Sequence, residues 1–412
     1  MSKSNRRSAD ADRRRFMQTA GVLAASTALG GVARIAGAES TITLPFANGE
    51  RALVKYPQKR PMILMTARPP QLETPFSVFN DGVLTPNDAF FVRYHLADIP
   101  LSIDPSTYRI RVRGLVKKEL SLSLEDLKTG FSPVDVVAVN QCSGNSRGLF
   151  EPRVSGGQLG NGAMGNARWT GVPLRDVLER AGVDAKAVQV TFNGLDKPVL
   201  EGTPDFVKAL DMDHALDGEV MLAYAMNGYD IPMLNGYPVK LIVPGYYGTY
   251  WVKHVIDINV IGEVYNGFWM NPAYRIPANA CACVPPGTKP SATVPINRFD
   301  VRSFITSITD HARLPARRPF KIKGIAFDGG YGIHEVMVST DGGRSWKETE
   351  LGRNLGKYSF REWHTSIKLD PGNWELKVRA VNNIGQSQPM EPLWNPAGYM
   401  RNVVETLRVR AI

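Results

Sequence analysis

The pattern of the chain changes at Pro285-Pro286, and this change limits the folds that are open to it. Before it, from Phe90 to about Val260, short β-rich runs alternate with helical patterns. After it, strand-like runs dominate and are separated by Asp-Gly and Pro-Gly turn signals. The sequence therefore predicts an α+β fold, in which a mixed α/β region precedes a β-sandwich of roughly 120 residues, immunoglobulin-like in size.

Local periodicity predicts the main elements of both regions. The predicted strands are Tyr108–Val112, Val134–Asn140, Val239–Val243, Arg302–Ile308, Phe320–Ala326, Glu335–Ser339, His364–Leu369 and Glu375–Ala380. The predicted helices are Ser123–Lys128 and Pro173–Ala181. Residues 39–80 are predicted to be an irregular, Pro-rich lead-in that wraps the body.

The first 38 residues have the pattern of a targeting segment. Arg13-Arg14-Arg15-Phe16 is a twin-arginine pattern, a mildly apolar Ala/Gly region follows, and Ala36-Gly37-Ala38 offers a cleavage site. A disordered basic tail or a short membrane anchor is the alternative. We expect folded export by the twin-arginine pathway to the periplasm, with removal of the signal near Ala38. The predicted boundaries are 1–38, 39–288 and 289–412.

The net charge of +10 is unevenly distributed along the chain. Residues 1–38 contain seven basic and two acidic residues, so half of the charge lies in the predicted signal. A mildly basic body suits a small anionic substrate or an acidic partner. The body has no basic run of the kind that binds nucleic acid, and no apolar run after residue 38 is long enough to span a membrane.

The chain has three cysteines, Cys142, Cys281 and Cys283. Cys281 and Cys283 are too close in sequence for an easy bridge to each other, and their redox state stays open. There is no Cys-x-x-Cys-His motif for covalent haem and no Cys/His array for zinc.

Cys142 is the residue around which a functional site is predicted. It follows a probable buried strand and precedes a glycine-containing loop with Arg147, a setting that can hold a thiolate. Soft thiolates select soft or high-valent metals. Arg93 and His95, two apart on a predicted strand, point to the same face and would add an anion pocket. The alternatives are an inert buried thiol or a nucleophilic Cys–His pair.

Six sequence blocks, in the same order, resemble the sulfite oxidase family of molybdenum enzymes, in particular bacterial periplasmic sulfite dehydrogenases. The blocks are Phe91-Val92-Arg93-Tyr94-His95, Gln141-Cys142-Ser143-Gly144-Asn145-Ser146-Arg147, Ala167-Arg168-Trp169-Thr170-Gly171-Val172-Pro173-Leu174, Leu222-Ala223-Tyr224-Ala225-Met226-Asn227-Gly228, Val243-Pro244-Gly245-Tyr246-Tyr247-Gly248 and Leu393-Trp394-Asn395-Pro396. The resemblance covers nearly the whole mature chain. It implies a sulfite-oxidase-type molybdopterin domain at 39–288 and an immunoglobulin-like dimerisation domain at 289–412.

The resemblance also implies a cofactor, molybdenum with one pyranopterin, and no haem in this chain. Cys142 takes the position of the only protein ligand to the metal. Lys253, Lys240 and Asn235 take the phosphate-site positions, where a lysine binds as a point charge. The full set of implied cofactor-binding residues is Tyr94, His95, Cys142, Asp196, Asn235, Lys240, Trp251, Val252 and Lys253.

On the substrate side, the resemblance assigns Arg93, His95, Arg147 and Tyr274. Related eukaryotic enzymes carry a further arginine directly after Trp-Asn-x, where this chain has Ala397. Arg401 is the candidate replacement.

The implied reaction is oxidation of sulfite to sulfate, with electrons passed to a separate periplasmic c-type cytochrome. The implied assembly is a homodimer formed through the C-terminal domain. One alternative is a same-cofactor oxidoreductase with another sulfur substrate, a sulfoxide reductase or a sulfane dehydrogenase. The alternative from another class is a non-enzymatic secreted binding protein built on the sandwich.

Overall fold

The computed structural model describes residues 41–44 and 48–412. The predicted twin-arginine signal lies outside the described residues. Residues Ile42–Ile412 form one compact unit built mainly from β-strands. In the described part of the chain, α-helix is limited to Leu124–Gly130, Leu174–Ala181 and Met212–Ala215. None of the described helices is long and apolar enough to cross a membrane.

The lead-in that the sequence predicts to be irregular is a five-stranded sheet, so that prediction was wrong. Its strands, in spatial order, are β1 (Thr41–Thr43), β2 (Glu50–Val54), β3 (Met62–Thr66), β4 (Gln71–Glu73) and β5 (Val92–Arg93). The strands have only two to five residues, too few for a clear periodic pattern. Gln71 of β4 pairs with Arg93 of β5, so this sheet fixes the backbone of a predicted site residue.

Two larger sheets form the body of the first region. Their strands are β6 (Ile110–Gly114), β7 (Leu120–Leu122), β8 (Val134–Gln141), β9 (Met164–Pro173), β10 (Gln189–Gly194), β11 (Lys208–Asp211), β12 (Met221–Met226), β13 (Tyr229–Asp230), β14 (Lys240–Ile242) and β15 (Val255–Ile261). One sheet has the order β11-β10-β15-β6-β7 and the other β13-β12-β9-β8, with β14 also paired to β12. The β15–β6 pair is parallel.

Both predicted helices are confirmed in position. The Ser123 side chain accepts a hydrogen bond from the Asp126 N–H while the Asp126 carboxylate accepts one from the Ser123 N–H, a capping box. Gly182 ends the second helix in the left-handed conformation, φ 71°. The helices are short, however, so the region is more strongly β than an α+β prediction implies.

The second region consists of two sheets that share one apolar core. After the ribbon β16 (Arg275–Pro277) and β17 (Thr293–Pro295), its strands are β18 (Arg302–Ile305), β19 (Arg313–Leu314), β20 (Phe320–Phe327), β21 (Ile333–Ser339), β22 (Lys347–Glu348), β23 (Glu350–Leu351), β24 (Arg361–Ile367), β25 (Gly372–Asn382) and β26 (Thr406–Ala411). The sheet orders are β18-β20-β24-β23 and β19-β26-β25-β21-β22. Ile322 and Trp363 of the first sheet are buried in the same cluster as Val338 and Val378 of the second.

Cys281 and Cys283 form a disulfide, and the expectation that they could not easily bridge was wrong. Ala282 between them adopts φ 47°. This turn brings the two Cα atoms to 5.1 Å, within the range that a disulfide requires.

Candidate active site

Segments from several parts of the chain meet around one cavity. Its walls come from β5 and the residues on either side of it, the end of β8 and the residues after it, the segment between β10 and β11, β14 with the segments before and after it, and Tyr274. The lining residues are Phe91, Arg93, Tyr94, His95, Asn140, Cys142, Ser143, Asp196, Phe206, Asn235, Lys240, Gly248, Thr249, Trp251, Lys253 and Tyr274.

Cys142 is a buried, free thiol held directly after β8. Its backbone N–H donates to the carbonyl of Ala163 at 2.9 Å, and its own carbonyl accepts from the Asn145 N–H at 2.9 Å. Ser146 then adopts φ 70° and precedes a short 3-10 helix, Arg147–Leu149. The Ser146 hydroxyl lies 2.6 Å from Nη2 of Arg302, a buried residue at the start of β18. The Cys142 loop is therefore anchored both to its own sheet and to the C-terminal region.

His95, Phe206 and Tyr274 form an aromatic wall of the cavity. Nε2 of His95 is hydrogen-bonded to the Tyr274 hydroxyl. The His95 ring is stacked on Phe206 with centroids 3.9 Å apart. Burial, together with the charges of Arg93, Lys253 and Lys208, holds the pKa of His95 well below its ordinary value. A neutral His95 can accept a hydrogen bond from Tyr274, whose pKa is raised by burial.

Buried lysine ammonium groups form the cationic part of the cavity. Nζ of Lys253 donates to the Arg93 carbonyl at 2.6 Å and lies 3.4 Å from the centroid of the Tyr94 ring. Nζ of Lys240 lies 5.1 Å from the Trp169 ring and 5.6 Å from the Trp251 ring. These two lysines contact ring faces and a backbone carbonyl, so an anion in the cavity could pair with them.

Lys59, in the loop between β2 and β3 of the lead-in sheet, adds a third ammonium group. It donates to the carbonyls of Asn87 and Phe90 at 2.7 and 2.9 Å and to Oδ1 of Asn235. Nδ2 of Asn235 in turn donates to the Phe91 carbonyl at 2.9 Å. Asn235 thus joins Lys59 to the strand that leads into Arg93.

Burial lowers the pKa of the lysines in and around the cavity. It lowers the pKa of Lys59, Lys208 and Lys240 to about 7, and it lowers that of Lys253 well below its ordinary value. The charge of Lys240 lowers the pKa of Lys253 further. Burial also raises the pKa of Asp196 to about 6, although Lys253 opposes this shift. A phosphate in the cavity would supply the missing negative charge and favour the protonated lysines.

Three polar atoms on the cavity wall are buried without a hydrogen-bond partner among the described residues. They are Oδ1 of Asn140, Oγ of Ser143 and Oγ1 of Thr249. Unsatisfied polar atoms are costly unless a ligand or water reaches them. A soft thiol, unpaired polar atoms and buried ammonium groups in one cavity fit a phosphate-bearing dithiolene cofactor that carries a thiophilic metal.

Most of the predicted site residues come together here. Arg93, Tyr94, His95, Cys142, Asp196, Asn235, Lys240, Trp251, Lys253 and Tyr274 all line the cavity. Val252 does not line it, and its carbonyl instead accepts from the Leu241 N–H at 2.8 Å. Arg147 lies behind the lining residues, with its guanidinium over Tyr399, and Arg401 is paired with Glu405 at 2.5 Å.

Sequence reasoning missed Lys59, Lys208, His254 and Tyr399. Lys208 is buried and donates to the Trp269 carbonyl at 2.6 Å, and its Nζ lies 5.0 Å from the Tyr274 ring. Nε2 of His254 is 2.7 Å from the Tyr94 hydroxyl. Isolated lysines, histidines and tyrosines have no local spacing signal, so only the tertiary structure could reveal them.

Two family models and several relatives match this chain. Residues 96–269 match the sequence model of the family described as oxidoreductase molybdopterin binding domain, and residues 293–411 match that of the Mo-co oxidoreductase dimerisation domain. Sulfite oxidase from Gallus gallus is 32% identical over 361 residues, which are 84% of this chain and 77% of that protein. Sulfite oxidase from Arabidopsis thaliana is 30% identical over 387 residues, 87% of this chain and 96% of that protein.

A solved structure has the same fold. The sulfane dehydrogenase SoxCD from Paracoccus pantotrophus aligns with a TM-score of 0.71 at 27% sequence identity, over 84% of this chain and 85% of that chain. Fold and site together define a molybdopterin-binding oxidoreductase. Within that class, the chain belongs to the sulfite oxidase family.

Proposed function

We propose that this chain is a sulfite dehydrogenase that oxidises sulfite to sulfate at a mononuclear molybdenum centre. The observation that carries the proposal is a single cavity that combines the Cys142 thiol with Arg93, His95, Lys240 and Lys253. A thiol suits a metal ligand, and guanidinium and ammonium groups suit an oxyanion. The relatives named sulfite oxidase support this substrate.

Cys142 would be the protein's ligand to the metal. The cofactor supplies oxygen transfer to sulfur and accepts the two electrons that this transfer releases. Lys240 and Lys253 would bind the phosphate of the pterin as point charges. Asn235 would keep Lys59 close by, through the contact between its Oδ1 and Nζ of the lysine.

The substrate dianion would be bound by arginine and oriented by the aromatic wall. Arg93 lines the cavity and Arg147 lies just behind it. Tyr274 keeps its proton, because burial raises its pKa, and can donate a hydrogen bond. His95, which stays neutral, would hold the Tyr274 hydroxyl in position. These groups place positive charge and a donor where negative charge develops.

The reaction balances as sulfite plus water giving sulfate, two protons and two electrons. We assign the electrons to a separate periplasmic c-type cytochrome, which would take them one at a time. The absence of a Cys-x-x-Cys-His motif from the sequence supports an external acceptor.

We propose periplasmic localisation after twin-arginine export, on the pattern Arg13-Arg14-Arg15-Phe16. We also propose a homodimer formed through the C-terminal sheets, arranged as an immunoglobulin-like sandwich. The match of residues 293–411 to a dimerisation domain supports the dimer. Replacing Arg13 and Arg14 by lysine should retain the protein in the cytoplasm, and light scattering should give the mass of two chains.

A second candidate, a sulfane dehydrogenase, is favoured by the structural neighbour that bears this name. Such an enzyme oxidises sulfur bound to another sulfur atom instead of free sulfite. The two candidates share the cofactor and differ in the size and charge of the substrate.

The deciding experiment is stopped-flow reduction of a soluble c-type cytochrome by the molybdenum-loaded protein, with either sulfite or a low-molecular-weight persulfide as donor. We expect rapid reduction with sulfite and slow reduction with persulfide. Rapid turnover of persulfide alone would establish the second candidate. Absence of molybdenum from the purified protein would contradict both.

A further inference from the structure

Tyr399 contacts two of the residues assigned to the substrate side. Its ring is stacked on that of Tyr274, with centroids 5.5 Å apart and an interplanar angle of 7°. The guanidinium carbon of Arg147 lies 5.0 Å from the centroid of the same ring. One aromatic side chain therefore links the arginine behind the cavity to the tyrosine on its wall.

Arg147 is enclosed so closely that its guanidinium has little freedom. Its Nε donates to the Ala397 carbonyl at 3.0 Å. A Cβ built on Gly144, Gly156 or Gly398 would come within 2.8–3.0 Å of atoms of the Arg147 side chain. The backbone can approach Arg147 this closely because the three glycines have no side chain. The ring of Tyr399 covers a further side of the guanidinium.

The segment that carries Tyr399 is itself fixed to the Cys142 loop. The Tyr399 N–H donates to Oδ1 of Asn395 at 3.1 Å, and Nδ2 of Asn395 donates back to the Tyr399 carbonyl at 2.8 Å. The Met400 N–H donates to the Ser143 carbonyl at 3.3 Å. Ser143 directly follows Cys142, so the position of Tyr399 is tied to that of the thiol.

Arg401 is engaged elsewhere. Its Nη1 lies 2.5 Å from Oε1 of Glu405, and Nη2 of Arg302 lies 3.2 Å from the same oxygen. Two arginines thus share one carboxylate, and neither of them lines the cavity. The positive charge of Arg401 is therefore paired within this ion-pair cluster.

We infer that Tyr399, and not Arg401, compensates for the absence of the arginine that the family resemblance leads one to expect at position 397. Tyr399 is a positioning residue, which fixes Arg147 and Tyr274 around the bound oxyanion by cation–π contact and parallel stacking. The inference rests on the proposed oxidation of sulfite. Because a neutral ring replaces a cation, the site depends more strongly on the exact placement of Arg147.

The test compares variants that keep or remove the ring, with sulfate as an oxyanion that is not turned over. Sulfate binding is measured by calorimetry on molybdenum-loaded protein, and KM and kcat are measured with sulfite. Tyr399→Leu should weaken sulfate binding and raise KM by about tenfold, with a much smaller change in kcat. Tyr399→Phe, which keeps the ring, should restore both. Tyr331→Leu, at a half-exposed tyrosine outside the site, is the matched control.

Unchanged sulfate affinity in Tyr399→Leu would overturn the inference, and so would an equal loss in Tyr399→Phe. If Tyr399→Leu does not load molybdenum, Tyr399→Met replaces it, since methionine fills similar space without a ring face. Sulfate binding separates the two hypotheses, because a wild-type protein that binds sulfate without oxidising sulfite contradicts only the proposed function.

Discussion

The Tyr274 hydroxyl and Nε2 of His95 share a hydrogen bond on the wall of the cavity that also contains the Cys142 thiol. Since burial, helped by cationic neighbours, keeps His95 neutral, the proton of this hydrogen bond belongs to Tyr274. The pair therefore presents a phenol of fixed orientation to the substrate, and the imidazole acts as its support.

Tyr274→Phe removes this donor while it keeps the ring that stacks on Tyr399. We expect kcat for sulfite to fall by about tenfold, the equivalent of one hydrogen bond worth about 1.4 kcal/mol in the transition state. Steady-state kinetics over a range of pH tests this. Because the pKa of His95 lies well below its ordinary value, neither wild type nor variant should show a histidine titration near pH 6.5. An NMR signal of the His95 imidazole that titrates near pH 6.5 would contradict the neutral assignment.

Cys142→Ser should abolish sulfite-dependent cytochrome reduction and leave the fold intact, since serine fits the same buried space. Molybdenum content, absorption spectra and thermal unfolding measure the two effects separately. The matched control is the double variant Cys281→Ser, Cys283→Ser, which removes the disulfide far along the chain. Full turnover in Cys142→Ser would exclude the thiol as metal ligand.

Arg93→Gln should mainly raise KM for sulfite, because it removes charge that binds the dianion in the ground state. A charge-assisted hydrogen bond is worth about 1.5–3 kcal/mol, so the expected rise is about tenfold to a hundredfold. Arg109→Gln, on a residue outside the cavity lining, serves as the control. An unchanged KM together with a reduced kcat would instead place Arg93 in the chemical step.

The cofactor-free protein should gain stability as the pH rises above about 7. The buried lysines have lower pKa values in the folded chain, about 7 for Lys240 and Lys59, than the ordinary value of 10.5. Between these values the unfolded chain binds more protons, so the free energy of unfolding increases with pH, by at most about 1.4 kcal/mol per unit for each lysine.

Denaturant unfolding of cofactor-free protein at several pH values tests this prediction. A bound phosphate would restore the lysine charges, so the loaded protein should show a flatter dependence. Lys240→Met should flatten the dependence of the cofactor-free protein and should also reduce pterin retention. A cofactor-free protein whose stability falls between pH 7 and 9 would contradict the assignment.

Glu405→Gln should destabilise the protein by about 3 kcal/mol, because it leaves the buried Arg302 and the partly buried Arg401 without their shared carboxylate. The side chain of Arg302 is only 1% exposed and that of Arg401 11%. Urea unfolding measures the loss, with the exposed Glu391→Gln as control. Equal stability of the two variants would show that water or another group neutralises the cluster.

The sequence predicted the parts of this molecule that have local signals. Cys142 after a buried strand, the Arg93-x-His95 spacing and the C-terminal strand pattern all lie within short windows. The lead-in sheet was missed because its strands are too short to show a period. Lys59 and Tyr399 were missed because their contacts join segments more than 100 residues apart, as Lys59 with Asn235 does.

The hydrogen bond from Arg302 to Ser146 has a consequence for how such proteins can diverge. Arg302 opens the C-terminal sheets, and Ser146 lies four residues after the thiol, so the two regions do not behave as interchangeable modules. A recombination event that exchanged the last third of the gene and replaced Arg302 would remove this contact with the Cys142 loop. Inherited changes in that third can therefore silence the enzyme without altering a single residue of the cavity wall.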